Sequence, residues 1–299
     1  MFLLYINDLP DFLNSNICSK LFADDLKAYG SYVSQGDYDE LQLTLNRLVD
    51  WSNQWQLKLS VGKCGSLLIT GNSKSDDSHE LFIDKENLAV FDTVKDLGVI
   101  IDPSLNFSKH IDNAISKANQ RLYLLLKSFK NRNISLMVFA FKVYILPLLD
   151  YCSPIWSPCK LLDIDRIENV QRSFTKKLDG LIDLPYPQRL IACNLPSLEL
   201  RRVWADLVLC FKIVHNQIAL SFGDFFELDI RKHDIRGHHL KLRIPFAKHR
   251  ARKSFFSVRI IPIWNSLPNE IVTGNCSKLF KRQLYSWNLN KFLKRSFVV

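Results

Sequence analysis

Two adjacent aspartates, Asp24 and Asp25, lie between the short apolar segments Cys18-Ser-Lys-Leu-Phe-Ala23 and Leu26-Lys-Ala-Tyr29. Apolar runs of that length on either side of a polar pair predict two strands joined by a tight turn, with the carboxylates at its tip. Like charges held so close repel one another unless a cation lies between them. Hard carboxylate oxygens suit magnesium, which is typically held by one or two carboxylates together with substrate phosphates. Two such ions can activate an attacking oxygen and stabilise a leaving one, which is the chemistry of phosphoryl transfer. The dipeptide alone carries little weight, since Asp76-Asp77 of the same chain has the polar surroundings of an ordinary solvated turn. The apolar flanks set the first pair apart.

The elements that must position this turn are mixed. Asp37 followed by Glu40 resembles a capping box, and Leu41, Leu45, Leu48, Trp55 and Leu59 recur at helical spacing, which predicts a helix over 38–58. Leu67–Thr70, Leu81–Ile83, Leu88–Phe91 and Leu97–Ile101 read as short strands separated by Asp, Lys, Glu and Asn turns. After Pro103 the period changes. Ile111, Ile115, Ala118, Leu122, Leu125 and Phe129 mark a helix with Ser108 placed to cap it, and further helices follow over Ile134–Pro147, Ile164–Leu178 and Leu200–Val214. A final amphipathic segment runs from Ser277 to Phe292. The fold class is α+β, with the strands early and the helices late.

With 299 residues, 47% of them hydrophobic, 20 Phe and 6 Trp, the chain can fill real cores. Met1–Ile6 is too short for a secretory signal and is followed at once by Asn7 and Asp8. The most apolar later run, Leu136–Leu149, is interrupted by Lys142 and Pro147 and falls short of the roughly 20 residues that span a bilayer. Seven scattered cysteines, none in a Cys-x-x-Cys pair, argue for reduced thiols, and the gap between Cys152 and Cys159 matches no common zinc spacing. These features point to an intracellular protein with no membrane partner.

The net charge of +10 conceals an asymmetry. Residues 1–102 hold 8 Lys and Arg against 16 Asp and Glu, whereas 103–299 hold 32 against 14. A polyanion partner for the second part is one reading, and a solvated basic face is the other. Between 231 and 259 stand ten basic residues and one acid, Asp234; nine of the ten are candidate phosphate contacts: Arg231, Lys232, Arg236, Lys241, Arg243, Lys248, Arg250, Arg252 and Lys253. They interleave with Phe246, Phe255 and Phe256, a mixture that suits backbone attraction and base stacking, although each Phe taken singly reads as core. On the first long helix, Lys117, Arg121, Lys127 and Lys130 lie off the apolar stripe. They could meet phosphates spaced along a duplex, and an ordinary exposed helix face reads equally well.

Leu21-Phe-Ala-Asp-Asp25 resembles the catalytic hairpin of reverse transcriptases, an aromatic residue followed by Ala, Asp and Asp, with Phe22 at the aromatic position. Phe2-Leu-Leu-Tyr-Ile-Asn-Asp-Leu9 is similar to the end of the palm helix that precedes that hairpin. Trp51-Ser-Asn-Gln-Trp55, Leu57-Lys-Leu59 and Lys63 resemble the helix, strand and lysine that follow it. Val94-Lys-Asp-Leu-Gly-Val99 is similar to the primer-grip turn, and His110–Phe129 to the first helix of a thumb. Tyr144-Ile-Leu-Pro-Leu-Leu-Asp-Tyr-Cys152 with Trp156, Ile164-Asp-Arg-Ile-Glu-Asn-Val-Gln-Arg172, and Phe255–Leu267 with Trp264-Asn-Ser-Leu-Pro268 resemble the tail of Jockey-type long interspersed elements. The resemblance extends over nearly the whole chain.

It implies a partial polymerase palm over 1–105, an antiparallel sheet with helices, then a helical thumb and following helical region over 106–220 and a basic C-terminal region over 221–299. The implied activity is that of an RNA-directed DNA polymerase of a non-LTR retrotransposon, with Mg2+ as cofactor and an RNA template and a DNA primer or target as partners. Asp24 would then ligate the metal with Asp25 as its weaker neighbour. Lys63 would stand where the family places a proton donor to the pyrophosphate, although a solvated lysine at a strand entry reads nearly as well. Leu97, Gly98 and Val99 would grip the primer end, a role set against the need of any tight hairpin for its glycine. The family's other metal-binding aspartate and its Gln-Gly pocket motif belong ahead of the hairpin, upstream of Met1. The chain is therefore expected to be a fragment that is inactive alone. A non-catalytic nucleic-acid-binding remnant is the rival reading, and a fossil reading frame with no selected function is the third.

Overall fold

The computed structural model describes residues 2–13, 17–70, 80–229 and 237–295. The chain is mixed helix and sheet, and it divides into two compact units, Met1–Val94 with Asp102–Ser104, and Lys95–Ile101 with Leu105–Val299.

The first unit begins with two short helices, α1 (Phe2–Tyr5) and α2 (Leu9–Leu13), and an antiparallel hairpin of β1 (Cys18–Phe22) and β2 (Asp25–Tyr29). The long helix α3 (Gln35–Trp55) follows. It starts three residues earlier than the sequence pattern predicts, because Ser34 rather than Asp37 opens the capping box. Asp37 sits one turn inside and accepts from the backbone N–H of Ser34 at 2.8 Å and of Val33 at 2.9 Å. Gln56, with φ 54, closes the helix in the left-handed conformation. Leu48 and Trp51 of α3 pack with Ile6, Leu9 and Leu13, and Leu21 and Leu26 of the hairpin rest on this cluster.

Four small strands complete the unit: β3 (Gly65–Ser66), β4 (Phe82–Ile83), β5 (Glu86–Asn87) and β6 (Ala89–Val90). The strand expected over Leu67–Thr70 does not form. β3 pairs in parallel with β6 for two residues only, and the ladder ends where Phe91 N–H donates to the Ser66 carbonyl at 2.8 Å. Glu86–Asn87, read from sequence as turn residues, instead pair with Phe82–Ile83 across Asp84 and Lys85. Both of those turn residues have positive φ, 47 and 66, as a two-residue hairpin requires. Asp76-Asp77 lies outside the described residues.

The hairpin of β7 (Val94–Asp96) and β8 (Val99–Ile101) lies in the second unit from Lys95 onward, and that unit is otherwise helical. The helices α4 (Ser108–Ser128), α5 (Ile134–Tyr144), α6 (Leu146–Asp150), α7 (Ser153–Trp156), α8 (Leu161–Lys176), α9 (Tyr186–Cys193) and α10 (Leu198–Val214) enclose one core. Phe107 rather than Ser108 precedes α4, and Asn106 accepts from the Ser108 N–H at 2.8 Å. The helix expected over Ile134–Pro147 breaks at Ile145, because Pro147 has no N–H to return to the preceding turn and instead sits in the first turn of α6. α9 falls in the stretch expected to be mainly helical, although it is too short for its own period to mark its bounds.

The C-terminal helices α11 (Phe222–Phe225), α13 (Phe256–Arg259), α14 (Ile261–Asn265), α15 (Asn269–Val272) and α16 (Ser277–Ser286) build a second core with α10, and the polar α12 (Arg250–Ser254) stays outside it. Phe211 of α10 stacks on Phe280 of α16 at 4.3 Å between ring centroids, and Trp264 is fully buried beside them. The amphipathic segment expected to run to Phe292 is helical only to Ser286, with a 3-10 turn at Asn290–Phe292. Among the described residues, no helix is long and apolar enough to cross a membrane.

Candidate metal-binding hairpin and basic surfaces

β1 and β2 pair from Cys18↔Tyr29 to Phe22↔Asp25, so Ala23 and Asp24 alone make the turn. Ala23 has φ 52, a left-handed conformation that costs a residue with a Cβ about 1–2 kcal/mol. The alternation of the strands turns Leu21 and Leu26 toward the α2–α3 cluster and leaves Phe22, Asp25 and Lys27 on the open face. Phe22 is 64% exposed, and Asp24 and Asp25 are exposed beside it. Among the described residues neither aspartate side chain makes a hydrogen bond or ion pair, so both carboxylates have their lone pairs free. No third His, Cys, Asp or Glu gathers with them into a metal-sized group among the described residues. The pair fits magnesium as a partial donor set, one or two hard oxygens with the remaining positions left to water and phosphates.

Lys63 ends the 3-10 turn Val61–Lys63, is exposed, and has no bond to either aspartate. Leu97 and Gly98 form the turn of the β7–β8 hairpin with φ 43 and 89, and the Tyr151 hydroxyl donates to the Leu97 carbonyl at 2.8 Å. Val99 is buried in the helical core, so its side chain anchors the turn and leaves only backbone to face a ligand. This turn belongs to the second unit and the Asp24 turn to the first.

Lys117, Arg121, Lys127 and Lys130 are all exposed on or just beyond α4. Lys127 is joined around a concavity by Arg132, Lys176 and Lys177, none of which the sequence singled out. The adjacent Lys176-Lys177 at the end of the apolar stripe of α8 was the available signal. Arg231, Lys232 and Arg236 lie outside the described residues. Of the later basic residues, Arg243 pairs with Glu227 at 2.8 Å and Arg252 lies 5.3 Å from the Phe255 ring centroid, while Lys248 and Lys253 are exposed and Lys241 is half-buried. Arg250 opens α12. The three Phe divide: Phe256 is core, Phe255 is partly exposed and Phe246 is 93% exposed.

The motifs of the second unit have structural jobs. Glu168 is fully buried, accepts from the Tyr186 hydroxyl and from the Leu198 N–H at 2.9 Å, and so caps the start of α10. Burial pushes its carboxyl above the usual range while these bonds pull it down. Gln171 donates to the Pro196 carbonyl at 2.9 Å. Asp150 pairs with Arg201, Trp156 donates to the Tyr151 carbonyl at 2.7 Å, and Asn265 both donates to and accepts from the backbone of Leu242. Asp206 binds Arg259 at 2.9 Å through two oxygens, and Arg259 also donates to the Pro154 carbonyl at 2.7 Å, tying α13 to α10 and α7.

Three known proteins are similar to parts of the chain. It is 24% identical over 187 residues to a probable RNA-directed DNA polymerase from the transposon X-element of Drosophila melanogaster, covering 60% of this chain and 20% of that protein. It is 25% identical over 145 residues to the RNA-directed DNA polymerase from the mobile element jockey of Drosophila funebris, covering 48% of this chain and 16% of that protein. An uncharacterized protein of Caenorhabditis elegans is 27% identical over 119 residues, covering 39% of this chain and 60% of its own. No protein-family model and no solved structure matches. The chain is thus distantly related to retrotransposon RNA-directed DNA polymerases, and it spans a fifth or less of the length of the two that it matches.

Proposed function

We propose that the chain is the later part of a non-LTR retrotransposon reverse transcriptase, with Asp24 and Asp25 contributing part of its magnesium site. The observation that carries this reading is the geometry of Leu21-Phe-Ala-Asp-Asp25. The two apolar residues Leu21 and Leu26 pin the hairpin, and two unpaired carboxylates stand free at its tip. Magnesium, when bound, would neutralise charge on the phosphates of the incoming nucleotide and lower the barrier to phosphoryl transfer. The protein's own contribution is to hold the carboxylates on a two-residue turn whose strands cannot shift register without exposing Leu21 and Leu26. Lys63 is the candidate proton donor to the leaving pyrophosphate, the Leu97–Val99 turn the candidate support for a primer end, and the exposed basic residues of α4 and of 241–253 the candidate contacts to RNA template and DNA primer.

Two carboxylates from one hairpin are half of a two-metal site, and misplacement by about 1 Å costs on the order of 100-fold in rate. The chain alone is therefore expected to bind a primer–template and not to extend it. Primer extension on poly(rA)/oligo(dT) with magnesium or manganese, alongside anisotropy of the same duplex, tests this. Binding without extension is the expected result. Extension abolished by Asp24→Asn would keep the site and overturn its incompleteness, and no binding at all would overturn the assignment. The alternative, a non-catalytic nucleic-acid-binding remnant, is favoured by the absence of a third carboxylate near the hairpin among the described residues. It expects the same binding, with no metal affinity at Asp24.

A further inference from the structure

The concavity around Lys127 is open and about 660 Å³ in volume, and it lies wholly within the second unit. Its rim carries Lys127 from the last turn of α4, Arg132 from the α4–α5 connection, and Lys176 and Lys177 from the end of α8, with Asp179 as the one acid. Tyr123 stands one turn before Lys127, is 64% exposed, and lines the same space.

A cation in the last turn of a helix is ordinary, since it faces the negative end of the helix dipole. That accounts for one such residue per helix end. Arg132 fills the role here, with Nη2 donating to the Leu126 carbonyl at 2.8 Å. Lys176 can do the same at the end of α8, which still leaves Lys127 and Lys177 turned to the same open space. Among the described residues, Lys127, Lys176 and Lys177 ion-pair with no carboxylate, and the Tyr123 ring packs on no other aromatic ring. Four cations against one acid attract a polyanion, and an exposed tyrosine face offers a stacking platform to an unpaired base.

We propose that this concavity binds single-stranded nucleic acid, its phosphates held by Lys127, Lys176 and Lys177 and a base stacked on Tyr123. This deepens the nucleic-acid reading above and rests on it. A strand rather than a duplex is the occupant, because the space has the dimensions of a small-ligand pocket and Tyr123 stacks only on a base that has left its helix.

The test is fluorescence anisotropy of the full chain with labelled oligo(rU) and oligo(dT) and, separately, with the poly(rA)/oligo(dT) duplex, over a salt series. Lys127→Gln/Lys176→Gln/Lys177→Gln should flatten the single-strand log K versus log salt slope by about 2, at roughly 0.7 per lost contact. Tyr123→Ala should weaken strand binding at least about 5-fold with the salt slope unchanged. All four positions are exposed, so melting near the wild-type temperature is expected. Lys278→Gln/Lys281→Gln/Arg282→Gln makes the same charge change on α16, and equal loss there would reduce the effect to bulk charge and overturn the site. Wild-type strand binding by both the triple variant and Tyr123→Ala overturns it too, while leaving duplex binding and the polymerase assignment intact. A wild-type chain that binds neither strand nor duplex overturns both.

Discussion

The two units handle their charged residues in opposite ways. In the first, the aspartate side chains of the hairpin stand in solvent without partners, on a two-stranded sheet whose Leu21 and Leu26 rest on the α2–α3 cluster. In the second, Glu168, Arg202 and Asp206 are buried, and both carboxylates make hydrogen bonds that fix one helix against another. Carboxylates of the same chemical type thus serve opposite ends. A free, exposed pair can take a cation, whereas a buried, hydrogen-bonded one specifies packing. The residues most suggestive of chemistry in the second unit are its scaffold, and its exposed lysines are the groups left to meet a ligand.

The largest expected effect comes from the core of the helical unit. Trp264 is fully buried and its indole N–H donates to the Leu240 carbonyl at 2.8 Å, so Trp264→Ala should cost about 3–5 kcal/mol in denaturant unfolding. A loss under about 1 kcal/mol would erase the contrast in packing between the units. Gly98→Ala is next. Its φ of 89 and the Tyr151 ring carbon 3.4 Å from the added Cβ predict a loss of about 1–2 kcal/mol, read as a lower melting temperature.

Acid should also weaken the second unit. His110 is buried against Trp156, at 5.2 Å between ring centroids, and its Nδ1 accepts from Ile100 N–H at 3.3 Å. Burial, and then the nearby Lys117, hold its pKa below the ordinary value, so the unfolded chain takes up the proton first as pH falls. The contribution of His110 is complete above the unfolded value of about 6.5 and is lost as pH drops through the folded one. Burial pushes the Asp206 carboxyl up to about 6, which works in the opposite sense between about 4 and 6. The His110 part is isolated by comparison with His110→Asn: the fall in melting temperature from pH 7.5 to 5.5 should be larger in the wild type. Equal falls would remove His110 from the account. The smallest effect is expected at Phe22, whose exposed ring should make Phe22→Ala neutral to within about 0.5 kcal/mol.

How much of this could be read in the sequence depended on where the information is local. The Asp24 hairpin was legible, because alternation and a polar pair fix both strands and turn within a dozen residues. The helices α3, α4, α8 and α10 were legible from their stripes, with ends wrong by one residue where Phe107 is the cap and by three where Ser34 is. The strand at Leu67–Thr70 failed because the ladder with β6 pairs only Gly65 and Ser66 and ends before Leu67, which no local pattern reports. The contributions of Arg132, Lys176 and Lys177 to one surface with Lys127 depend on helix packing over some fifty residues of sequence, and no spacing rule reaches that far.

The carboxylates of the Asp24 turn are proposed to hold a divalent cation. Paramagnetic broadening by Mn2+ of the backbone amide resonances, recorded on the full chain with a nucleoside triphosphate present, measures it directly. The account predicts broadening centred on Phe22–Leu26 that vanishes in Asp24→Asn. Broadening elsewhere, or broadening at the turn that survives the substitution, would contradict it.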